Sequence, residues 1–146
     1  MKNALKTFPE ELKNLLSVKS QRRMNYVIPI ITTGERLNVA LLSPYQVVLI
    51  DDKTIFVSVN EGSHTFNNLK SDGKCALIIF FPPKAYYIYG RASHLKGKVF
   101  RVDVDVVEED YSEEAPILTV PTFSDDKVRG TYEEEFKNLL LTFQEK

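Results

Sequence analysis

The chain has 146 residues, a formal net charge of -1 and a pI near 6.1, which fits one domain with a real core and argues against a general nucleic-acid binder. No apolar run is long enough to span a bilayer, and Met1-Lys-Asn-Ala-Leu-Lys6 has no apolar signal region, so the expected location is the cytoplasm, away from membranes. Cys75 is the only cysteine, which excludes an intrachain disulfide, and the run Ala76-Leu-Ile-Ile79 beside it marks a small buried hydrophobe rather than an activated thiol.

Thr7-Phe-Pro-Glu10 reads as a helix start, with Thr7 as cap and Glu10 at the capping-box position. Leu12, Leu15 and Leu16 then give one apolar face. Ser17 to Arg23 is a basic linker, in which Lys19, Arg22 and Arg23 are read as solvated rather than as a phosphate clamp. Tyr26 to Thr32 is a strand whose Pro29 points to an edge position or a bulge. Thr33-Gly-Glu35 turns into a second strand, Leu37 to Leu42, which Ser43-Pro44 breaks. Tyr45 to Ile50 is a third strand, and Asp51-Asp-Lys53 turns tightly into a fourth, Thr54 to Val59. Short turns of this kind predict an antiparallel meander.

Asn60-Glu-Gly62 is turn chemistry, and Ser63 or Thr65 can cap a short helix through Lys70, with Gly73 as its stop. A strand end, a glycine and a hydroxyl-rich helix start together present backbone N–H groups suited to a phosphate, although helix capping alone is the commoner use of these residues. Lys74 to Phe81 is a strong strand ended by Pro82-Pro83, and Tyr86 to Leu95 follows with Gly90 in its middle, which signals a bulge or a close backbone approach. Lys98 to Val107 alternates cleanly through Val102-Asp-Val-Asp-Val106, which places Asp103 and Asp105 on a wet face as solvated carboxylates rather than metal ligands. Glu108 to Glu114 reads as an acidic connection and Ile117 to Val120 as a last short edge strand. Thr131-Tyr-Glu-Glu134 is a second capping box. Tyr132, Phe136, Leu139, Leu140 and Phe143 then line a helical face that must dock on the sheet or on another subunit. The sum is a mainly β single domain over 1–146 with peripheral helices, a closed or split barrel that hides its strand edges.

The Gly-rich nucleotide loops, the His-Glu-x-x-His motif and paired cysteines are all absent, so no metal site is expected. His64 and His94 are the only histidines, and a triad drawn from Ser63 and His64 fails because adjacent residues at a helix start do not face each other. No residue is assigned a catalytic role, so an enzyme of this sequence must take its reactivity from a cofactor.

Thr32-Thr-Gly-Glu-Arg-Leu-Asn-Val-Ala-Leu-Leu-Ser43, then an apolar strand pair, then Ser63-His-Thr-Phe-Asn-Asn-Leu69, resembles the FMN-binding split barrels, closest to their flavin reductase-like branch. Tyr87-Ile-Tyr-Gly-Arg-Ala92 is similar to the strand with a central Gly-x-Ala in the pyridoxamine phosphate oxidase-like relatives, and the resemblance runs from about Tyr26 to Leu95. It implies an antiparallel six- to seven-stranded split β-barrel and a homodimer with FMN in grooves near the subunit interface. It also implies an oxidoreductase that passes hydride from NAD(P)H through the flavin. By position, Asn38, Ala40 and Ser43 would line the isoalloxazine and ribityl side, and Ser58 and Asn60 would flank the ribityl chain. Ser63, His64, Thr65 and Asn68 would hold the phosphate, and Arg91 would reach the groove from the partner subunit. Many relatives carry a lysine or arginine near Ser63, and here that charge falls to His64, Arg22 or Arg36. Two alternatives stay open: a barrel that holds FMN, haem or a deazaflavin without turnover, and a cofactor-free dimeric barrel.

Overall fold

Among the described residues there are eight strands, most of them over runs of β-branched and aromatic residues: β1 (Lys2–Leu5), β2 (Ile28–Thr32), β3 (Asn38–Leu42), β4 (Val47–Asp51), β5 (Thr54–Ser58), β6 (Lys74–Phe81), β7 (Lys84–Lys96) and β8 (Val99–Asp110). Three helices accompany them: α1 (Glu10–Leu16), α2 (His64–Ser71) and α3 (Asp125–Glu145). The structure, a computed structural model, describes residues 1–17 and 25–145. The linker residues Lys19, Arg22 and Arg23 lie outside the described residues.

The strands form one antiparallel sheet in the order β3-β2-β6-β7-β8-β5-β4, with β1 paired to β8 beyond the end of β5. The sheet curls, and one face becomes the interior. A row of directly opposed residues, Ala40, Ile30, Leu77, Ile88 and Val107, crosses that inner face from β3 to β8. Leu12 and Leu16 of α1 and Phe66 and Leu69 of α2 fill the same core. α3 lies on the opposite face of β4 and β5, where its Leu139 is fully buried against Val48, Phe56 and Val99. The Phe136 ring meets Tyr45 edge-on at 6.3 Å between centroids. The architecture is a mainly β antiparallel split barrel.

Several expectations are corrected by tertiary pairing. The first four predicted strands do not form a meander: β2–β3 and β4–β5 are hairpins, but β3 and β4 end on opposite margins of the sheet. Among the described residues no ladder joins them, so the barrel stays split and its edges are not closed by hydrogen bonds. Pro29 sits in an interior strand, yet β2 pairs β6 only from Ile30 onward, so the missing N–H falls outside that ladder. Residues 117–120 are not a strand, although the Ile117 N–H donates to the Pro83 carbonyl at 3.1 Å and Val120 packs on the core; a bridge pairing forms later, between Tyr26 and Thr122. Pro9, not Thr7, is the first cap, in extended backbone and without a side-chain bond. α3 begins at Asp125, so residue 131 lies inside the helix and not at its cap. β8 runs to Asp110, so half of the expected acidic connection is strand, and the polar N-terminal Lys2–Leu5 pairs with that extension.

The clean alternation expected over Val102–Val106 is interrupted. The β7–β8 register shifts at Tyr89/Gly90: Gly90 opposes Val104, Tyr89 opposes Val106, and Asp105 is the extra residue. Val102 packs into the core with Val104 against it, whereas Val106 lies beside Tyr89 on the outer face. Gly90 permits this, because a Cβ there falls well inside contact distance of the Asp103 carbonyl oxygen. A backbone oxygen in a ladder cannot swing away, so Gly90→Ala is expected to destabilise the fold by about 1–3 kcal/mol, read from urea unfolding midpoints at constant slope.

Candidate functional site

The site forms where the β2–β3 loop meets α2. Ser63 starts the helix: its Oγ accepts from the Phe66 N–H at 3.1 Å and donates to the Asn60 carbonyl at 2.7 Å. Asp72 caps the other end, its carboxylate accepts from Thr33 and from the Lys74 N–H, and Gly73 follows at φ 87°. The Thr33 hydroxyl holds the Asp72 carboxyl below the usual carboxylate range, helped by the Lys74 N–H.

Asn68 is the clasp between loop and helix. Its Nδ2 donates to Thr32 Oγ1 at 3.1 Å and to the Arg36 carbonyl at 3.3 Å. Gly34 lies against the same amide, with no room for a Cβ. On β3, Asn38 Nδ2 donates to Thr65 Oγ1 at 2.8 Å. These contacts open a cleft of about 580 Å³ lined by Glu35, Arg36, Asn38, His64, Asn67, Asn68 and Ser71. Arg36 Nη2 stands 3.5 Å from His64 Nε2.

The structure brings together part of the expected set. Asn38, His64 and Asn68 line the cleft, Thr65 is buried behind Asn38, and Ser63 positions the helix start. Of the basic candidates weighed from sequence, Arg36 and His64 both line it, and Arg22 lies outside the described residues. Glu35, Asn67 and Ser71 were not singled out, although Asn67, Asn68 and Ser71 follow His64 at helical spacing on one face.

The other expected residues lie elsewhere. Ala40 packs against the core. Ser43 is fully buried at the head of a 3₁₀ turn, Pro44–Gln46, its N–H donating to Gln46 Oε1 at 2.9 Å. Gln46 Nε2 donates in turn to the Ser58 carbonyl at 3.0 Å. Ser58 Oγ donates to Glu135 Oε2 of α3 at 2.5 Å, and Lys98 Nζ pairs with Glu135 Oε1 at 2.9 Å. Ser43 and Ser58 thus belong to a polar seam beneath α3, not to the cleft, because successive residues of β5 point to opposite faces and Ser58 is on the α3 side. Asn60 is exposed in the turn before α2, its carbonyl taken by Ser63. Arg91 is exposed opposite Lys74 on β7 and lines no part of its own protomer's cleft.

The residues lining the cleft are all of polar type, so a phosphate and a polyol chain fit their donors, while their aliphatic stems supply the apolar part of its surface. No group of residues that could hold a metal ion occurs among the described residues. Burial pushes the Cys75 thiol up to about 12, which keeps it inert as expected. No helix among the described residues is long and apolar enough to cross a membrane.

The sequence matches no family model, and no curated protein matches it. Solved structures do match in fold. HupZ from Group A Streptococcus superposes with a TM-score of 0.54 at 16% identity, over 68% of this chain and 91% of that one. A protein assigned as a pyridoxamine 5′-phosphate oxidase from Lactobacillus delbrueckii gives 0.55 at 16% identity, over 73% and 98%. An FMN-binding protein from Syntrophomonas wolfei gives 0.51 at 14% identity, over 73% and 86%. The likeness is one of fold, and the fold is that of the pyridoxamine phosphate oxidase-like, FMN-binding split barrels.

The seam under α3 has its own pH signature. Burial raises the Glu135 carboxyl, but the Ser58 and Lys98 hydrogen bonds outweigh it and leave it below its ordinary value. A depressed carboxylate stabilises the fold above its unfolded value, near 4.5, and that contribution is lost as pH falls through the folded value. Glu135→Gln is expected to lower stability at neutral pH and to flatten the acid loss, as read by hydrogen exchange along α3.

Proposed function

We propose that this split barrel binds FMN in the cleft between the β2–β3 loop and α2, with the phosphate at the Arg36–His64 end. One observation carries the reading: a guanidinium from one element and an imidazole at the first turn of another converge within 3.5 Å at one end of a polar cleft. The Phe66 N–H of the first turn of α2 is taken by Ser63 Oγ, and the helix provides no acceptor for those of His64 and Thr65, an arrangement that favours an anion at this helix start. Asn38, Asn67 and Asn68 offer amides along the cleft for a polyol chain. The FMN-binding protein of the same fold from Syntrophomonas wolfei supports the reading. Flavin, when bound, supplies hydride chemistry, which makes an NAD(P)H-dependent oxidoreductase the corresponding enzyme. This chain's residues hold and orient: Asn68 fixes the loop, Arg36 supplies positive charge with the His64 ring beside it, and Asn38 ties β3 to α2.

A second copy of the chain completes the site in this reading. Leu37, next to Arg36, is 71% exposed, and Val39 and Leu41 on the edge strand β3 are 62% and 55% exposed. Val39 continues into a row of opposed, half-buried outer residues, Ile31, Ala76, Tyr89 and Val106. An apolar face of that extent on an unpaired edge marks an interaction surface. Such a partner would bring aliphatic or aromatic side chains against the cleft for a flavin ring.

A second reading, cofactor binding without turnover, draws on the lining itself, in which, among the described residues, one carboxylate, Glu35, and one imidazole, His64, accompany amides, a hydroxyl and a guanidinium. Oxidation of NADH or NADPH in proportion to added FMN-loaded protein would reject it.

The site is tested by Arg36→Ala with Asn68→Ala. Loss of a charge-assisted hydrogen bond is worth about 1.5–3 kcal/mol, so FMN affinity is expected to fall about 10- to 100-fold, read from quenching of flavin fluorescence. Unchanged affinity sinks the assignment. Val39→Glu with Leu41→Glu is expected to give a monomer in sedimentation, and a persistent dimer moves the interface to another face.

A further inference from the structure

We infer that Gly34 and Asn68 form a latch that fixes the β2–β3 loop, and with it Arg36, against α2 before a ligand arrives. Both residues then position the anion end of the cleft rather than bind at it. The part that concerns ligand affinity rests on the FMN reading. Neither residue is explained by its own element. Gly34 is not at positive φ, unlike Gly62, Gly73 and Gly97, so its backbone does not demand glycine. What position 34 demands is space. A Cβ there would fall inside contact distance of Asn68 Oδ1 and 2.7 Å from Asn68 Cγ, and the next nearest atom is Asn68 Nδ2 at 3.4 Å. Asn68 in turn lies within α2, where asparagine is a poorer helix former than alanine or leucine.

The Asn68 amide is spent across the junction. Its Nδ2 donates to Thr32 Oγ1 at 3.1 Å and to the Arg36 carbonyl at 3.3 Å. A carbonyl only accepts, so the atom that faces it is the nitrogen, and the direction of the amide follows. An amide nitrogen carries two protons, and both are then used within the chain, which leaves none for a phosphate. Thr32 is fully buried in β2 and makes one anchor fixed. The other anchor is the backbone of the residue that carries the guanidinium. The loop has a further tie at each side, from Thr33 to Asp72 and between Asn38 and Thr65. Arg36 itself is exposed, so where its backbone is held decides what space its charge can reach. A loop ordered only by the ligand would set that ordering cost against affinity, and a loop held beforehand does not. A Cβ at position 90 meets a ladder carbonyl, but one at position 34 meets the end of a side chain that can rotate away. Substitution at position 34 therefore opens the latch and spares the sheet.

The test compares Gly34→Ala, Asn68→Ala and the double variant, each in the full chain. In the ligand-free wild type, nitrogen relaxation is expected to give backbone order parameters of about 0.85 over residues 33–37, and each variant is expected to fall below about 0.6 there with the sheet unchanged. Asn68→Asp keeps the shape but offers the Arg36 carbonyl no donor, and it is expected to release the loop as alanine does. FMN affinity, followed by flavin fluorescence, is expected to fall about tenfold in each single alanine variant, as for a loop held about one-tenth of the time. The double variant is expected to fall no further, because the added methyl has nothing to displace once the amide is gone. Effects that add in the double variant overturn the latch, and so does a Gly34→Ala or Asn68→Asp loop as rigid as that of the wild type. If wild type and latch variants bind FMN equally tightly, the latch does not serve the ligand and the inference falls while the FMN reading stands. A wild type that binds no FMN rejects that reading, and the order parameters still decide the latch.

Discussion

The sheet depends on β8. It is the strand through which the β3-β2-β6-β7 half joins the β5-β4 half, and it also holds β1. A strand in that position must satisfy β7 along its whole length on one side and two shorter strands in succession on the other. It does so by inserting Asp105 opposite the Tyr89–Gly90 step, which lets Val102 and Val104 face the core at one end and Val107 at the other. Without the extra residue, period-two alternation would turn one of these sets outward. Gly90 makes the insertion sterically feasible, since only hydrogen at that Cα leaves room for the Asp103 carbonyl.

The curl set by this sheet determines where the two polar regions lie. β3 ends on one margin, so its loop to β2 stands clear of the core and can meet α2, which follows β5 from the other half. Asn68 closes that junction with bonds to both Thr32 and Arg36. On the far side of β5, the alternation that buries Val57 in the barrel turns Ser58 toward α3, where Glu135 and Lys98 occupy it. Polar residues that look alike in the sequence therefore divide between an open cleft and a closed seam.

Local signals carried much of this into the sequence. The strand from Lys74 to Phe81 and the helix opened by Ser63 were legible because alternation and capping are interactions between near neighbours. Of the residues singled out from sequence, His64, Asn68 and Asn38 line the cleft, the first two on the capped helix and Asn38 named through the resemblance. Lys2–Leu5 was not, because a short polar segment becomes a strand only when β8 extends far enough to pair with it. Residues 117–120 failed in the opposite sense: apolar character between prolines invited a strand, but among the described residues they join no ladder, and Ile117 makes a single backbone bond to Pro83. The late start assigned to α3 came from a capping pattern that falls inside a helix already docked through Leu139.

By itself, then, the sequence determined the class of the domain, the identity of most strands and the capped helix start, since each rests on contacts within a few residues. Tertiary structure decided which strands are neighbours, that the barrel stays split, and which charged group faces the helix start. Arg36 and His64 are 28 residues apart, and Ser58 and Glu135 are 77 apart. No local propensity acts across such distances. Ladder register and the burial of apolar faces bring those groups together, and both are properties of the assembled sheet.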